Sequence, residues 1–217
     1  MTLLKKRITK LLASVFCLLF LTSADGVKSN QDIYKKGWID FNKNGIKDIF
    51  EDPTQTIEAR VADLLSQMTM EEKTCQMTTL YGFSRVLEDE LPTAEWKNRV
   101  WKDGIANIDE HLNTIANRPY TNTEYAFPYN NHAEAINTIQ KWFIEETRMG
   151  IPVDFTNEGV HGLCHKKATP LPAPIGIGST WNKDLVYKAG QTVGREAKAL
   201  GYTNIYAPIL DVARDPR

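Results

Sequence analysis

Ile151-Pro-Val-Asp-Phe155 and Thr203-Asn-Ile-Tyr-Ala-Pro-Ile-Leu210 are two short runs rich in β-forming residues. Each is followed by polar, Gly- or Pro-containing sequence, and each therefore reads as a strand that ends in a loop. Between them lie a Gly-, Pro- and His-rich loop over 156–173 and the capping sequence Ser179-Thr-Trp-Asn182. That cap opens a helix expected to run from about Lys183 to Leu200, with Gly201 as its C-terminal stop. Strand, loop, helix and strand in this order form a βαβ unit and hence a parallel sheet. The pattern fits a β/α barrel, in which strand-end loops build the active site, and it fits a doubly wound sheet equally well.

Toward the N-terminus, a helix is expected at about 131–148, ended by Gly150. Residues 81–131 carry Trp96, Trp101, Tyr120, Tyr125, Phe127 and Tyr129 without a clear period, and read as a long loop region with one short strand near Gly104–Ile108. Ile57, Val61, Leu64, Leu65 and Met68 form one apolar stripe at helical spacing, predicting a helix over 57–68. Thr69-Met-Glu-Glu72 is a capping-box signature. It opens a second helix expected to carry Cys75, Met77 and Leu80.

Upstream, Asp40, Asn42, Asn44, Gly45 and Glu51 satisfy D-x-[DN]-x-[DN]-G-x5-E at every fixed position. This spacing suits a Ca2+ loop, because a hard dication needs six or more oxygens and glycine permits the sharp turn at the sixth position. Asp40, Asn42 and Asn44 would offer side-chain oxygens and Ile46 its carbonyl. Asp48 would bind directly or through water, and Glu51 through both oxygens. The role of such an ion would be structural, fastening the leader 25–52 to the first helix. A polar turn without metal uses the same residue types.

The chain has 217 residues, 42% of them hydrophobic and 24% charged, the balance of a folded globular protein. Twenty-six basic against 27 acidic side chains give a net charge of −1, which offers no basic footprint for nucleic acid and suits a neutral polar partner such as a sugar. Lys5, Lys6, Arg7 and Lys10, the apolar run Leu11–Leu21 and the small residues Thr22-Ser-Ala24 resemble a secretory signal, with cleavage expected after Ala24. The apolar run is shorter than the ~20 residues a membrane helix needs. Phe16 before Cys17 argues against a lipoprotein anchor. Export places the mature protein in the periplasm or outside the cell. It leaves Cys75, expected to be a buried thiol, and Cys164, with their pairing open.

The densest signal is a series of motifs in order: Arg148-Met-Gly-Ile-Pro152, Asn157-Glu-Gly-Val-His-Gly162, Pro174-Ile-Gly-Ile-Gly-Ser-Thr-Trp-Asn182, Gly194-Arg-Glu-Ala197 and Ala207-Pro-Ile-Leu-Asp-Val-Ala-Arg-Asp-Pro-Arg217. Together they resemble the N-terminal barrel of glycoside hydrolase family 3. Arg60 to Lys73 resembles the same family's opening helices, so the likeness covers about residues 50–217. The resemblance implies the N-terminal portion, 53–217, of an incomplete (β/α)8 TIM-type barrel; full barrels of this kind take about 250 residues. It also implies an exo-acting, retaining β-glycosidase, most often a β-glucosidase, acting on an oligosaccharide or other β-glycoside. Retention needs two carboxyl groups about 5–5.5 Å apart. In the family both lie later in the chain, so residues 1–217 alone are expected to be inactive.

Within the resemblance, Glu158 matches the family carboxylate that binds hydroxyls of the terminal sugar, and glutamate there is frequent in xylosidase-like relatives. His161 would touch substrate or hold its loop. His165, Lys166 and Lys167 read as a solvated face, Trp142 and Trp181 as core, and Asp211, Arg214 and Asp215 as a supporting ion-pair network. A calcium-stabilised sugar-binding module without catalysis is the rival reading.

Overall fold

Four short strands run parallel in one sheet, and their order in space is their order in the chain. The computed structural model describes residues 32–83, 85–99, 102–113, 124–210 and 214; the expected export signal at 1–24, Cys17, Trp101, Tyr120, Asp211 and Asp215 lie outside these. The described chain begins with an antiparallel hairpin, β1 (Tyr34–Lys35) and β2 (Trp38–Ile39), and a 3-10 turn at Ile49–Glu51. Helices α1 (Ile57–Gln67) and α2 (Met70–Cys75) follow. The sheet then alternates with helices: β3 (Thr79–Tyr81), α3 (Ala94–Arg99), β4 (Asn107–Asp109), α4 (Tyr129–Glu146), β5 (Asp154–Glu158), α5 (Pro174–Gly178), α6 (Lys183–Leu200) and β6 (Asn204–Tyr206). Among the described strands the order β3-β4-β5-β6 never reverses. A doubly wound sheet contains such a reversal, whereas a barrel layer advances in one direction.

Alternation along each strand divides the sheet into two chemically distinct faces. Leu80, Ile108, Phe155 and Ile205 belong to the main core, with Ile136, Ile139, Trp142 and Phe143 of α4 and Ala197 and Leu200 of α6. Burying a side chain such as Phe143 or Phe155 stabilises the fold by about 1.5–3 kcal/mol. The opposite face carries Thr79, Tyr81, Asn107, Asp109, Asp154, Thr156, Glu158, Asn204 and Tyr206. Strand pairing sets these in rows: Thr79–Asn107–Asp154, then Tyr81–Asp109–Thr156–Asn204, then Glu158–Tyr206.

Helix ends follow the chemistry of their caps. Thr69 Oγ1 accepts from Glu72 N while Glu72 reaches back to Thr69 N, the expected capping box. Asn182 caps α6, and Gly201 ends it in the left-handed conformation that glycine adopts without a Cβ clash.

Several expectations change. Helix α2 stops at Cys75, and Leu80 lies on β3, because Thr78-Thr79-Leu80-Tyr81 supplies β-branched and aromatic residues suited to a strand. Residues 81–131 hold α3 as well as a strand, displaced to Asn107–Asp109. The strand expected at 151–155 is Asp154–Glu158: Pro152 has no N–H to give a ladder, and the polar alternate residues find partners on β4. Of the α1 stripe, Leu64 and Met68 join a second cluster with Phe50 and Met149, while Ile57, Val61 and Leu65 stay exposed. Trp142 is core as expected, but Trp181 is 93% exposed in the turn before Asn182. His165 is buried rather than solvated: its Nε2 meets the Ala126 carbonyl at 2.9 Å and its ring packs edge-on against His132. Lys166 and Lys167 are exposed as expected. Cys75 and Cys164 are unpaired and half-buried.

Candidate functional site

Glu158 is the last residue of β5, so the sequence's "loop acid" stands at a strand's carboxyl end. Its backbone is fixed from two sides. Glu158 N donates to Asn157 Oδ1 at 2.9 Å, and Cys164 N donates to Glu158 O at 2.8 Å. Asn157, fully buried, donates through Nδ2 to Cys164 O at 3.0 Å, so one amide side chain closes the loop 158–164 at both ends. Gly159 follows because β6 runs too close for any side chain: a Cβ there would lie 2.5 Å from Ile205 Cγ2 and 2.9 Å from Ala207 Cβ.

Beside Glu158, β4 ends in Asp109, and Glu110 follows it. Glu110 N donates to Thr156 O at 2.9 Å, and Glu110 holds a left-handed φ of 53°, a conformation that costs a non-glycine residue free energy. Burial pushes the Asp109 carboxyl above its ordinary range, and the nearby Glu110 charge adds to that. Glu158 is raised for the same reasons, burial first and then the charges of Asp109 and Glu110. Arg85 answers this acidic edge: it meets Glu110 at 2.6 Å and stacks over the Tyr81 ring at 3.5 Å from its centroid. Tyr81 and Tyr206, both partly exposed, flank the carboxylates from β3 and β6.

Below this edge the polar face is hydrogen-bonded inward. Thr156 Oγ1 lies 2.8 Å from Asp109 Oδ1 and 3.0 Å from Asn107 Oδ1; Asn107 Nδ2 donates to Asp154 Oδ2 at 3.1 Å, and Thr203 Oγ1 donates to Asp154 Oδ1. The threonine hydroxyl has one proton and two neighbouring acceptor oxygens.

Such an edge suits a polyhydroxylated ligand. A carboxylate accepts two hydroxyl hydrogen bonds at once, and tyrosine rings offer apolar faces with a polar tip. The structure brings Glu158 together with Asp109, Glu110, Tyr81 and Arg85, which sequence reasoning did not select. The signal available for two of them was the alternation Asn107-Ile-Asp109 ending in paired acids after a short strand. His161 lies in the same loop, exposed, and its main-chain carbonyl accepts from Leu171 N at 2.8 Å. An apolar groove of about 550 Å³ lies next door between β6 and α6, lined by Ile177, Val186, Val193 and Ile205 among others. Glu158 does not line it, and its apolar walls suit packing rather than sugar.

The second predicted constellation is at the opposite end of β5. Asp40 Oδ2 accepts from Gly45 N at 3.0 Å, Asn42 Oδ1 from Asn44 N at 3.2 Å and Asn44 Oδ1 from Ile46 N at 2.7 Å. The Nδ2 groups of Asn42 and Asn44 converge on Asp48 Oδ2 at 2.6 and 2.7 Å. Glu51, buried, accepts from Phe41 N at 2.6 Å and Asp48 N at 3.1 Å through its two oxygens. Burial raises its pKa, the amides of Asp48, Asn42 and Phe41 oppose that, and Asp40 adds to it. Among the described residues no group of three or more His, Cys, Asp or Glu side chains is gathered tightly enough to hold a metal unaided. The loop's six donors are instead a mixture of carboxylates, amides and one carbonyl.

No helix among the described residues is long and apolar enough to cross a membrane. The model of the glycosyl hydrolase family 3 N-terminal domain matches residues 69–217. A protein of Formosa agariphila provisionally named a β-xylosidase is 30% identical over 174 residues, which are 77% of this chain and 21% of that protein. A periplasmic β-glucosidase of Salmonella typhimurium is 28% identical over 79% of the chain and 19% of its own length. A periplasmic β-glucosidase/β-xylosidase of Dickeya chrysanthemi is 26% identical over 82% of the chain and 27% of its own length. The chain thus spans about a fifth to a quarter of the length of these relatives, and it belongs to glycoside hydrolase family 3.

Proposed function

We propose that this chain is the opening half of a (β/α)8 barrel in an exported, exo-acting, retaining β-glycosidase, with Glu158 and His161 on the substrate side. The observation that carries the reading is Glu158 at the carboxyl end of a parallel strand, level with Tyr206 and beside Asp109. Active sites of β/α barrels are built at that end. Sequential strand order and the apolar groove beside β6, which a following βα unit would fill, support barrel winding. The basic, apolar and small-residue zones of 1–24 support export, as does the likeness to periplasmic β-glucosidases.

In this reading Glu158 accepts hydroxyl hydrogen bonds from the terminal sugar, Asn157 fixes its backbone, and the nucleophile and acid/base come from sequence beyond 217. Residues 1–217 alone then bind without turning over. β-Glucoside is the expected substrate. β-Xyloside is the second reading, favoured by glutamate at 158, which is frequent in xylosidase-like relatives, and by the names of the Formosa and Dickeya proteins.

Purified full-length protein assayed on aryl β-glucoside and aryl β-xyloside tests both. Hydrolysis of one, lost with Glu158→Ala, supports the assignment and names the sugar; hydrolysis of neither rejects it. Turnover by 25–217 alone would overturn the placement of the catalytic carboxylates.

A further inference from the structure

We propose that the loop Asp40–Glu51 binds one Ca2+ through Asp40, Asn42, Asn44, the Ile46 carbonyl, Asp48 and Glu51, and that the ion clamps the base of β5, the strand that ends in Glu158.

The observation pointing to a ligand is Asp40. Its side chain is 97% buried by the 3% exposure it retains, its Oδ2 takes the Gly45 N–H inside the loop, and its Oδ1 has no hydrogen-bond partner. A polar oxygen buried without a partner is a costly arrangement that a coordinated cation removes. Glu51, also buried, is close enough for the two carboxylates to repel each other. The loop's own lysine hydrogen-bonds to main chain rather than to Asp40: Lys43 Nζ donates to the carbonyls of Phe41, Ile144 and Thr147 at 2.5, 2.8 and 2.7 Å, while its charge acts on Asp40 and Glu51 through space. The donors available are all oxygen and mostly uncharged or singly charged, which selects a large, hard cation of flexible coordination over Mg2+, with its demand for tight octahedral geometry. Glu51 Oε2 and the Asn42 and Asn44 carbonyl oxygens each accept one main-chain N–H and keep a second lone pair.

The same contacts say what the ion would hold. Lys43 closes the carboxyl end of α4, and the chain then turns at Gly150, where a Cβ would lie 2.5 Å from Phe41 O. Phe41 and Phe50, from the two ends of the loop, pack with Met68, Met149 and Ile151, three residues before β5 begins. Ordering the loop therefore orders the entry to β5.

The test is calorimetric titration of chelator-stripped full-length protein with CaCl2, with melting curves in parallel. Expected are one site per chain, a Kd in the ~10⁻⁴–10⁻³ M class of extracellular modules, and a Tm rise of about 5 °C at saturation. Asp48→Ala, at a half-exposed position that leaves the buried packing intact, should weaken binding at least about tenfold, as should Asp40→Ala. If Asp40→Ala does not fold without ion, Asp48→Ala alone decides. No heat and no Tm shift in folded parent protein overturns the proposal; so does parental affinity in Asp48→Ala, or an equal response to MgCl2. Because the readout is heat rather than turnover, its failure is distinct from failure of the glycosidase assignment.

Discussion

The loop at 40–51 and the sheet edge at Glu158 both hold buried carboxyl groups, but they satisfy them from different distances along the chain. In the loop, the acceptors Asp40, Asn42, Asn44 and Glu51 take N–H groups from within the same twelve-residue pattern. At the edge, Asp109 on β4 stands opposite Thr156 and Glu158 closes β5 two residues on, while their flanking groups Tyr81 and Tyr206 come from β3 and β6. The loop can take shape with only its own backbone in place. The edge exists only when four strands are in register, and a one-residue slip would turn Glu158 and Asp109 toward the helices. Damage at the edge should therefore appear in catalysis and in global stability, whereas damage in the loop should appear in ion binding and local order.

The largest expected effect sharpens that division. Glu158→Ala in the full-length enzyme should lower kcat/KM by about 10²–10³, the scale of losing a charge-assisted contact that strengthens in the transition state. Melting should be nearly unchanged, because the loop is held by Asn157 and main chain rather than by the Glu158 carboxylate. A large fall in Tm would make Glu158 a structural acid and break the assignment. Gly159→Ala should do the reverse. Its Cβ would meet Ile205 at 2.5 Å, and forcing β5 and β6 apart should cost about 1–3 kcal/mol in urea unfolding. Unfolding midpoints equal to the parent's would show that the strand edge yields.

A pH series probes what lies beneath the edge. His111 and His132 are buried; burial, assisted by neighbouring histidine charges, lowers their pKa values to about 3 and about 4. His132 contacts the Leu200 carbonyl at 2.7 Å and Tyr202 Oη at 3.2 Å, and faces the ring of His165; Tyr202 Oη donates to the His111 carbonyl at 2.6 Å. Unfolded histidine titrates near 6.5, so below that pH the unfolded chain takes up protons that the native core refuses. Stability should thus be intact above pH ~6.5 and fall as pH drops toward about 4, by about 1.4 kcal/mol per pH unit for each histidine. Urea midpoints at pH 7.0 and 5.5 measure it; a flat profile would mean that these rings are accessible to protons in the folded state.

Legibility in the sequence follows the same division. The capping box at Thr69–Glu72 and the helix stop at Gly201 are patterns within a dozen residues, and the structure reproduces the local bonds they require. Helix α6 was readable to its ends because both caps are encoded beside it. Two strands lie up to about three residues beyond their expected positions because apolar runs marked their approach, whereas the paired segments Asn107–Asp109 and Asp154–Glu158 are mostly polar; the strand expected at 203–210 is shortened to Asn204–Tyr206. Only a neighbouring strand explains polar residues in such positions, and that neighbour is far away in sequence. For the same reason Glu158 was found through its motif, while Asp109, Glu110 and Arg85 were not found at all. His165 looked solvated beside two lysines, yet it is buried by Ala126, Tyr129 and His132 from outside its own loop.

The smallest effect tests whether a local motif stays local. Thr69 Oγ1 accepts from Glu72 N at 3.2 Å, so Thr69→Ala removes one cap of α2 and should cost about 1 kcal/mol, or about 2–4 °C in Tm. Thr69→Ser, which keeps the hydroxyl, should remain within a few tenths of a kcal/mol, about the resolution of the measurement. Glu72 is different, because its carboxylate also accepts from Arg148 Nε at 2.8 Å, just before the turn into β5. If Thr69→Ala costs far more than a cap, its loss has freed Glu72 from Arg148, and the capping box belongs with the long-range edge rather than with the self-contained loop.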